Sequence, residues 1–419
     1  MNKDKKPELL IPAGSLEVLK TAVIYGADAV YIGGDVFSLR AKAKNFTLEE
    51  MAEGIDFAHR HGVKVHVTAN ILAHNDDIDE ARKYFKKLKS VKPDALIISD
   101  PGMMTIAKEE CPEIDIHIST QANNTNYMSY LFWYNQGAKR VVSARELSLK
   151  EIKDIRDKIP MDMEIESFIH GAMCISYSGR CLLSNYMVGR DANRGECTHP
   201  CRWKYAVVEE KRPGVYLPIE ENERGTYIFN SGDLCMIEHI PEMIDAGIDS
   251  FKIEGRMKTA LYVATVARTY RKALDDLYNN MDSYKANMDW YTTQIKSCTY
   301  RQFTTGFYFG KPGEESQIYD NNTYSRESVY LGSIEVVRDD GAVRVTQKNK
   351  FCVGDEIEIM KPDGRDIKVT VESIEDEEGH FQESAPHSKQ IIFVKLRDSA
   401  GNDMSCECSQ YDILRVPCN

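Results

Sequence analysis

Eight short runs rich in β-branched and aliphatic residues recur along the first 255 residues: ELLIPAG, AVYIGG, KVHVTAN, ALIISD, DIHISTQ, RVVSAR, MEIESFIHG and, after a long gap, SFKIEG. Each of the first seven leads within a few residues into a polar stretch and an amphipathic segment such as SLEVLKTAVIYG, TLEEMAEGIDFAHRHG or SLKEIKDIRDKI. Strand followed by helix is the signature of βαβ units and a parallel sheet. Eight such strands predict a closed (β/α)8, TIM-like barrel. An open, doubly wound sheet is the alternative; the count of eight and the lack of a GxGxxG after the first strand favour closure.

The gap between strands seven and eight, residues 171–249, is too long for an ordinary connection and is predicted to be an insertion at the barrel rim. After strand eight, TALYVATVARTYRKALDDLY spaces its apolar residues three and four apart and predicts a long helix. From Tyr330 the text changes to short alternating runs, LGSIEVV, AVRVTQ, DEIEIM, IKVTVESI and IIFVKL, separated by turn residues, which predict a small β-barrel domain. At 419 residues the chain exceeds one ordinary core. The expected organisation is a barrel over 1–280 that includes the insertion 171–249, a connecting segment 281–329 and a β-domain over 330–419.

Charge is distributed unevenly. The formal net charge is -12, and 330–419 alone holds 11 basic and 18 acidic residues. Within 178–204, by contrast, Arg180, Arg190, Arg194, Arg202 and Lys204 face only Asp191 and Glu196. An anionic partner is therefore expected at the insertion rather than over the whole surface. MNKDKKPELL is followed by no apolar stretch of signal-peptide type, and no run is long enough to cross a bilayer, so the expectation is a soluble cytoplasmic protein with no membrane partner.

The insertion and its edges carry five cysteines, Cys174, Cys181, Cys197, Cys201 and Cys235. In a reducing compartment, clustered thiols serve metal binding or redox chemistry more often than a disulfide framework. Zinc ribbons favour two close CxxC-type pairs, and here only Cys197 and Cys201 are close, as CTHPC. Dispersed thiolates suit an iron–sulfur cluster better, although spacing alone leaves zinc open.

In a parallel barrel the chemistry sits at the carboxyl ends of the strands. Asn70, Asp100, Ser119, Gln121 and Asn123 close strands with hydrogen-bonding groups, and Gln121 and Asn123 are the candidates for contacting a base or sugar edge. Gly14, Gly33 and Gly34 at strand ends either admit a ligand close to the backbone or serve the turn. His170, at the end of strand seven, is a candidate proton carrier. FKIEGRMKT puts Lys252, Glu254 and Arg256 on one alternating face at the end of strand eight, where two or three cations can hold a dicarboxylate or phosphate. Arg145 after strand six and Arg40 after strand two extend this anion pocket. An internal salt bridge through Glu254 is the competing reading.

Residues 166–184 follow E-x-F-x-x-G-x-x-C-x-x-x-S-G-x-C-x-x-S, and this segment, with ANRGECTHPCRWKY and FKIEGRMKT, resembles the signature blocks of the collagenase-like U32 peptidase family. The sequence shows no HExxH, no GxSxG and no evident Ser/His/Asp arrangement to carry proteolysis. Members of this family that resemble this chain more closely are tRNA hydroxylation enzymes that form 5-hydroxyuridine at the wobble position, depend on prephenate and carry an iron–sulfur cluster; related branches hydroxylate a ribosomal cytidine or act in ubiquinone synthesis. The resemblance implies a cluster, expected as 4Fe-4S, on Cys174, Cys181, Cys197 and Cys235, with Cys201 as an alternative ligand. It implies prephenate as co-substrate or activator in the pocket of Arg145, Lys252 and Arg256. It also implies the tRNA anticodon region as partner, gripped by Trp203, Tyr205 and the arginines of the insertion, and a homologous subunit or a second copy as a further expected partner. A collagenase-like peptidase and a cluster-bearing redox scaffold are the alternatives.

Overall fold

Burial on both faces explains why the eight runs form strands. The computed structural model describes residues 5–38, 45–174, 176–203, 206–207, 217–218, 230–298, 303–310, 317–318 and 328–417. The barrel strands are β1 (Glu8–Pro12), β2 (Ala29–Gly33), β3 (Lys64–Ala69), β4 (Ala95–Ile98), β5 (Asp115–Ile118), β6 (Arg140–Val142), β7 (Glu164–Ala172) and β8 (Ser250–Ile253). Each pairs in parallel with the next, and β8 pairs in parallel with both β7 and β1, which closes the ring. The predicted barrel is the observed one.

Helices α1 (Leu16–Ile24), α2 (Leu48–Arg60), α3 (Ile78–Val91), α4 (Pro101–Glu110), α5 (Tyr127–Asn135) and α6 (Leu149–Arg156) follow the first six strands. Local chemistry starts them. Thr47 with Glu50 and Ser148 with Glu151 form reciprocal capping boxes at α2 and α6, and Asp100 caps α4 just before Pro101. The buried residues Met51, Ile55 and Ala58 of α2 recur at helical spacing and turn inward.

Strand β7 is the longest in the ring at nine residues. Its last residues pair antiparallel with a short strand, Asp233–Cys235, which in turn runs parallel to Phe303–Thr304. Between them the insertion carries a short helix, α7 (Leu183–Val188), and two single 3-10 turns, Ala192–Arg194 and Pro200–Arg202. Helix α8 (Ile240–Asp245) then leads into β8.

The chain divides into two compact units: residues 1–23, 27–258 and 301–323, and residues 24–26, 259–300 and 324–419. The first is the barrel with its insertion. In the second, a six-stranded antiparallel ring runs in the order Glu356–Met360, Ile413–Pro417, Ser328–Val337, Val343–Thr346, Ile391–Arg397 and Asp366–Glu375, the last pairing back to the first. Leu331, Val345, Ile359, Val371, Val394 and Leu414 fill it. The predicted helix is α9 (Ala260–Asn279), which groups with this second unit. Among the described residues no helix is long and apolar enough to cross a membrane.

Candidate active site

One cavity opens at the carboxyl ends of the barrel strands, with Tyr31, Thr68, Gln121, Arg145, Phe168 and Lys252 among its lining residues. Glu254 and Arg256, just beyond β8, complete the barrel side. The insertion forms the other side and contributes Cys174, Cys181, Cys197 and Cys201. Residues as far apart in sequence as Tyr31 and Arg256 thus meet around one space.

The cations of this wall are held in place by the barrel interior. Lys252 Nζ lies 2.6 Å from Glu166 Oε1, and Glu166 is fully buried. The other oxygen of Glu166 is 3.0 Å from Arg140, which also binds Glu8 at 2.5 Å and Glu164 at 2.7 Å. Because β6 and β1 are not neighbours in the ring, the Arg140–Glu8 pair crosses the barrel interior. Burial opposes the charge on Glu166, yet Lys252 and then Arg140 hold its carboxyl below the usual carboxylate range. His66 and His117 stack edge-to-face at 4.7 Å beside this layer. Burial pushes the His66 imidazole down to about 4 and holds His117 well below the usual histidine range, so both are neutral at pH 7.

Arg145 is fixed from three sides. It donates to the Ala172 carbonyl at 2.8 Å, pairs with Glu254 at 3.2 Å and lies 3.9 Å above the Phe168 ring. Arg256 donates to Ser38 Oγ at 2.5 Å and Thr68 Oγ1 at 2.9 Å. The lining carries three cations, Arg145, Lys252 and Arg256, and one carboxylate, Glu254, while Glu166 pairs with Lys252 from outside the lining. The salt bridge through Glu254 is present, made to Arg145, and Arg145, Lys252 and Arg256 line the cavity.

The glycines at strand ends make room for Arg256. A Cβ on Gly33 would stand 2.4 Å from Arg256 Nη1, and one on Gly14 would stand 2.1 Å from the Arg256 carbonyl oxygen. Close approach of protein atoms, rather than of a ligand, is the reason for these residues.

Other expected residues are placed differently. Gln121 lines the cavity, as does Asn70, whose amide donates to Ser119. Asn123 does not. Its backbone is left-handed at φ 53°, its amide donates to the Ser178 carbonyl at 2.7 Å, and its carbonyl accepts from Arg180 Nε at 2.7 Å. Both ends of the side chain tie down the insertion, so it is not placed to read a base. His170, the expected proton carrier, is 2% exposed, faces the Phe303 ring at 5.8 Å and is absent from the cavity lining. Its imidazole is pushed down to about 4, burial being the main cause. Cys235 lies on the short strand opposite His170 and is likewise absent from that lining, whereas Cys201 is in it. Arg40, Lys204 and Tyr205 lie outside the described residues.

The sequence reading missed Glu166, Ser38, Thr68 and Phe168. Glu166 had a signal: it is an acid inside the otherwise strand-like MEIESFIHG and heads the quoted motif.

No disulfide joins the described cysteines. Tetrahedral zinc, with Zn–S bonds of about 2.3 Å, sets its sulfurs about 3.8 Å apart. Among the described residues only Asp376, Glu378 and His380 bring three potential ligand atoms within 4.8 Å of one another, so no three cavity thiols are spaced for a single ion. The His199 backbone N–H donates to Cys197 Sγ at 3.4 Å, the kind of outer contact a metal-bound thiolate accepts. Four thiols in one cavity lining make an all-sulfur donor set.

A model of Peptidase family U32 matches residues 14–318. The chain belongs to peptidase family U32. The family's C-terminal domain matches residues 326–415, which hold most of the antiparallel ring. Among family relatives, the chain is 42% identical over 393 residues to tRNA hydroxylation protein P1 of Bacillus subtilis, covering 94% of this chain and 92% of that one. It is 38% identical over 431 residues to tRNA hydroxylation protein P of Escherichia coli, at 93% and 94% coverage. A relative from Methanocaldococcus jannaschii, described as an uncharacterized protease, is 43% identical over 383 residues, at 86% and 92% coverage.

Proposed function

We propose that this protein is a tRNA-modifying enzyme that hydroxylates the wobble uridine to 5-hydroxyuridine in a reaction dependent on prephenate and an iron–sulfur cluster. One observation carries the reading: a cavity at the barrel mouth with cations on one side and four thiols on the other. Near-full-length similarity to tRNA hydroxylation proteins supplies the substrate class.

In this reading Arg145, Lys252 and Arg256 hold the carboxylates of prephenate, and Glu166 and Glu254 keep Lys252 and Arg145 aimed. Gln121 contacts the pyrimidine edge. Asn123 ties the insertion to the barrel through Ser178 and Arg180. Cys174, Cys181 and Cys197 would hold the cluster with a fourth thiolate, Cys235 by family resemblance or Cys201 by its place on the cavity wall. When bound, the cluster would supply redox-active iron next to the anion site. Iron and sulfide content of the Cys201→Ser and Cys235→Ser proteins identifies the fourth ligand: the substitution at the true ligand lowers both.

The deciding experiment is nucleoside mass spectrometry on tRNA from cells with the gene, without it, and with only the Cys174→Ala protein. The expected result is loss of 5-hydroxyuridine and its derivatives in the second and third strains. Unchanged levels in cells without a redundant relative would overturn the proposal.

A further inference from the structure

The cysteine segment has an outer face that the cavity does not explain. Helix α7 is two-sided. Its inner side carries Ser184, fully buried, whose hydroxyl lies 3.0 Å from Thr198 Oγ1 and accepts the Thr198 backbone N–H at 3.1 Å. This ties the helix to the loop bearing Cys197 and Cys201. The outer side shows Tyr186, 87% exposed, one turn from Leu182, 68% exposed, with Met187 at 41%. The backbone N–H of Tyr186 bonds to the Leu182 carbonyl at 2.9 Å, so the two side chains lie on one helical face. Tyr177, 47% exposed and five residues before Leu182, is in the cavity lining.

Adjacent large side chains left in solvent mark a contact surface. The local charge selects the partner. Residues 177–203 hold Arg180, Arg190, Arg194 and Arg202 against Asp191 and Glu196, in a chain whose net charge is -12. A second copy docked through the same face would bring arginines against arginines. An unpaired nucleic-acid strand instead presents flat bases to the aromatic rings and phosphates to the guanidinium groups.

We propose that the outer face of α7, with Tyr186 and Leu182, and with Arg180 and Arg190 close to it in sequence, is a stacking surface for the unpaired bases of an RNA loop. It rests on the reading that the substrate is RNA, and it adds to the arginines of the insertion the exposed side chains of α7, Tyr186 and Leu182, which the sequence did not single out.

The test uses full-length protein purified with its cluster, and binding is followed by fluorescence anisotropy. The probes are a labelled anticodon stem-loop RNA and a fully paired duplex built from its stem. Tyr186→Ala is expected to weaken stem-loop binding about tenfold, with duplex binding within about twofold and Tyr186→Phe close to wild type. Arg190→Gln is expected to lower the salt slope of binding by about one. Iron content equal to wild type shows that each variant is folded around its site. Stem-loop binding by Tyr186→Ala within twofold of wild type would overturn the inference. So would a change of sedimentation in Tyr186→Ala with RNA binding intact, which would reassign the face to a protein contact. If wild type modifies tRNA while Tyr186→Ala binds normally, only this inference falls; if wild type neither binds nor modifies tRNA, the functional reading itself fails.

Discussion

Glu166 stands between Lys252 at the cavity wall and Arg140 in the barrel interior, with no exposure to water. A buried carboxylate is tolerable only while its cations are present, and those cations in turn depend on it. Glu166→Ala should therefore cost about 3–5 kcal/mol, read from the urea midpoint of the protein, and adding Lys252→Met should restore part of the loss by removing an orphaned charge. A Glu166→Ala protein as stable as wild type would remove this residue from the account. The same layer predicts a pH dependence. Burial holds His66 at about 4, below its ordinary 6.5, so between those values the unfolded chain binds more protons than the folded one. The stabilisation from neutral His66 is complete above about 6.5 and is lost as pH falls toward 4, on the order of 3 kcal/mol in all. Glu8 acts in the same direction at lower pH: burial alone would raise its carboxyl, yet Arg140 keeps it at about 2. Unfolding midpoints measured from pH 7.5 to 4.5 should fall, and His66→Leu should flatten the slope. An unchanged slope would count against His66 as its source.

At the scale of elements, the long β7 sets up the mouth of the barrel. Gly171 has φ 106°, and a Cβ there would stand 2.5 Å from the Glu254 carbonyl oxygen and 2.9 Å from Glu254 Cβ. Gly171→Ala should push Glu254 away from Arg145, at a stability cost of about 1–3 kcal/mol, and under the proposed function should weaken prephenate binding about tenfold. Thermal unfolding checks the first number and calorimetric titration the second; normal binding by a folded variant would disconnect the Arg145–Glu254 pair from the anion site. The strands themselves were legible because two-sided burial writes a continuous apolar run into the sequence. The final strand, Ile413–Pro417, was missed because it is short and follows an irregular stretch, and only pairing with Ser328–Val337 and Glu356–Met360 makes it a strand. Asn123 was legible as a functional polar residue but not as a clamp, since its partners lie 55 and 57 residues away.

At the scale of the whole molecule, the second unit has its own buried ion pair. Arg268 of α9, 2% exposed, binds Asp366 at 2.9 Å, Gln294 at 2.5 Å and the Lys361 carbonyl at 3.0 Å. Arg268→Ala should lower the stability of this unit by about 3 kcal/mol. Hydrogen exchange should then show lost protection in 260–279 and 328–417, with protection kept in the barrel strands; uniform loss throughout the chain would contradict the division into two units.

Local periodicity was enough to read eight strands, their parallel arrangement, the long insertion, α9 and the change to antiparallel structure near residue 330. Composition was enough to single out the cysteines of the insertion, because residue type and spacing are properties of the linear chain. Tertiary structure alone decided which of those residues share a space. Ring closure pairs Glu8 with Ser250, 242 positions on, and places Lys252 beside Glu166. It put Cys201 on the cavity wall and His170 off it, and converted Asn123 from reader to clamp. Side-chain partnership depends on where distant strands come together, and no local pattern in the sequence records that distance.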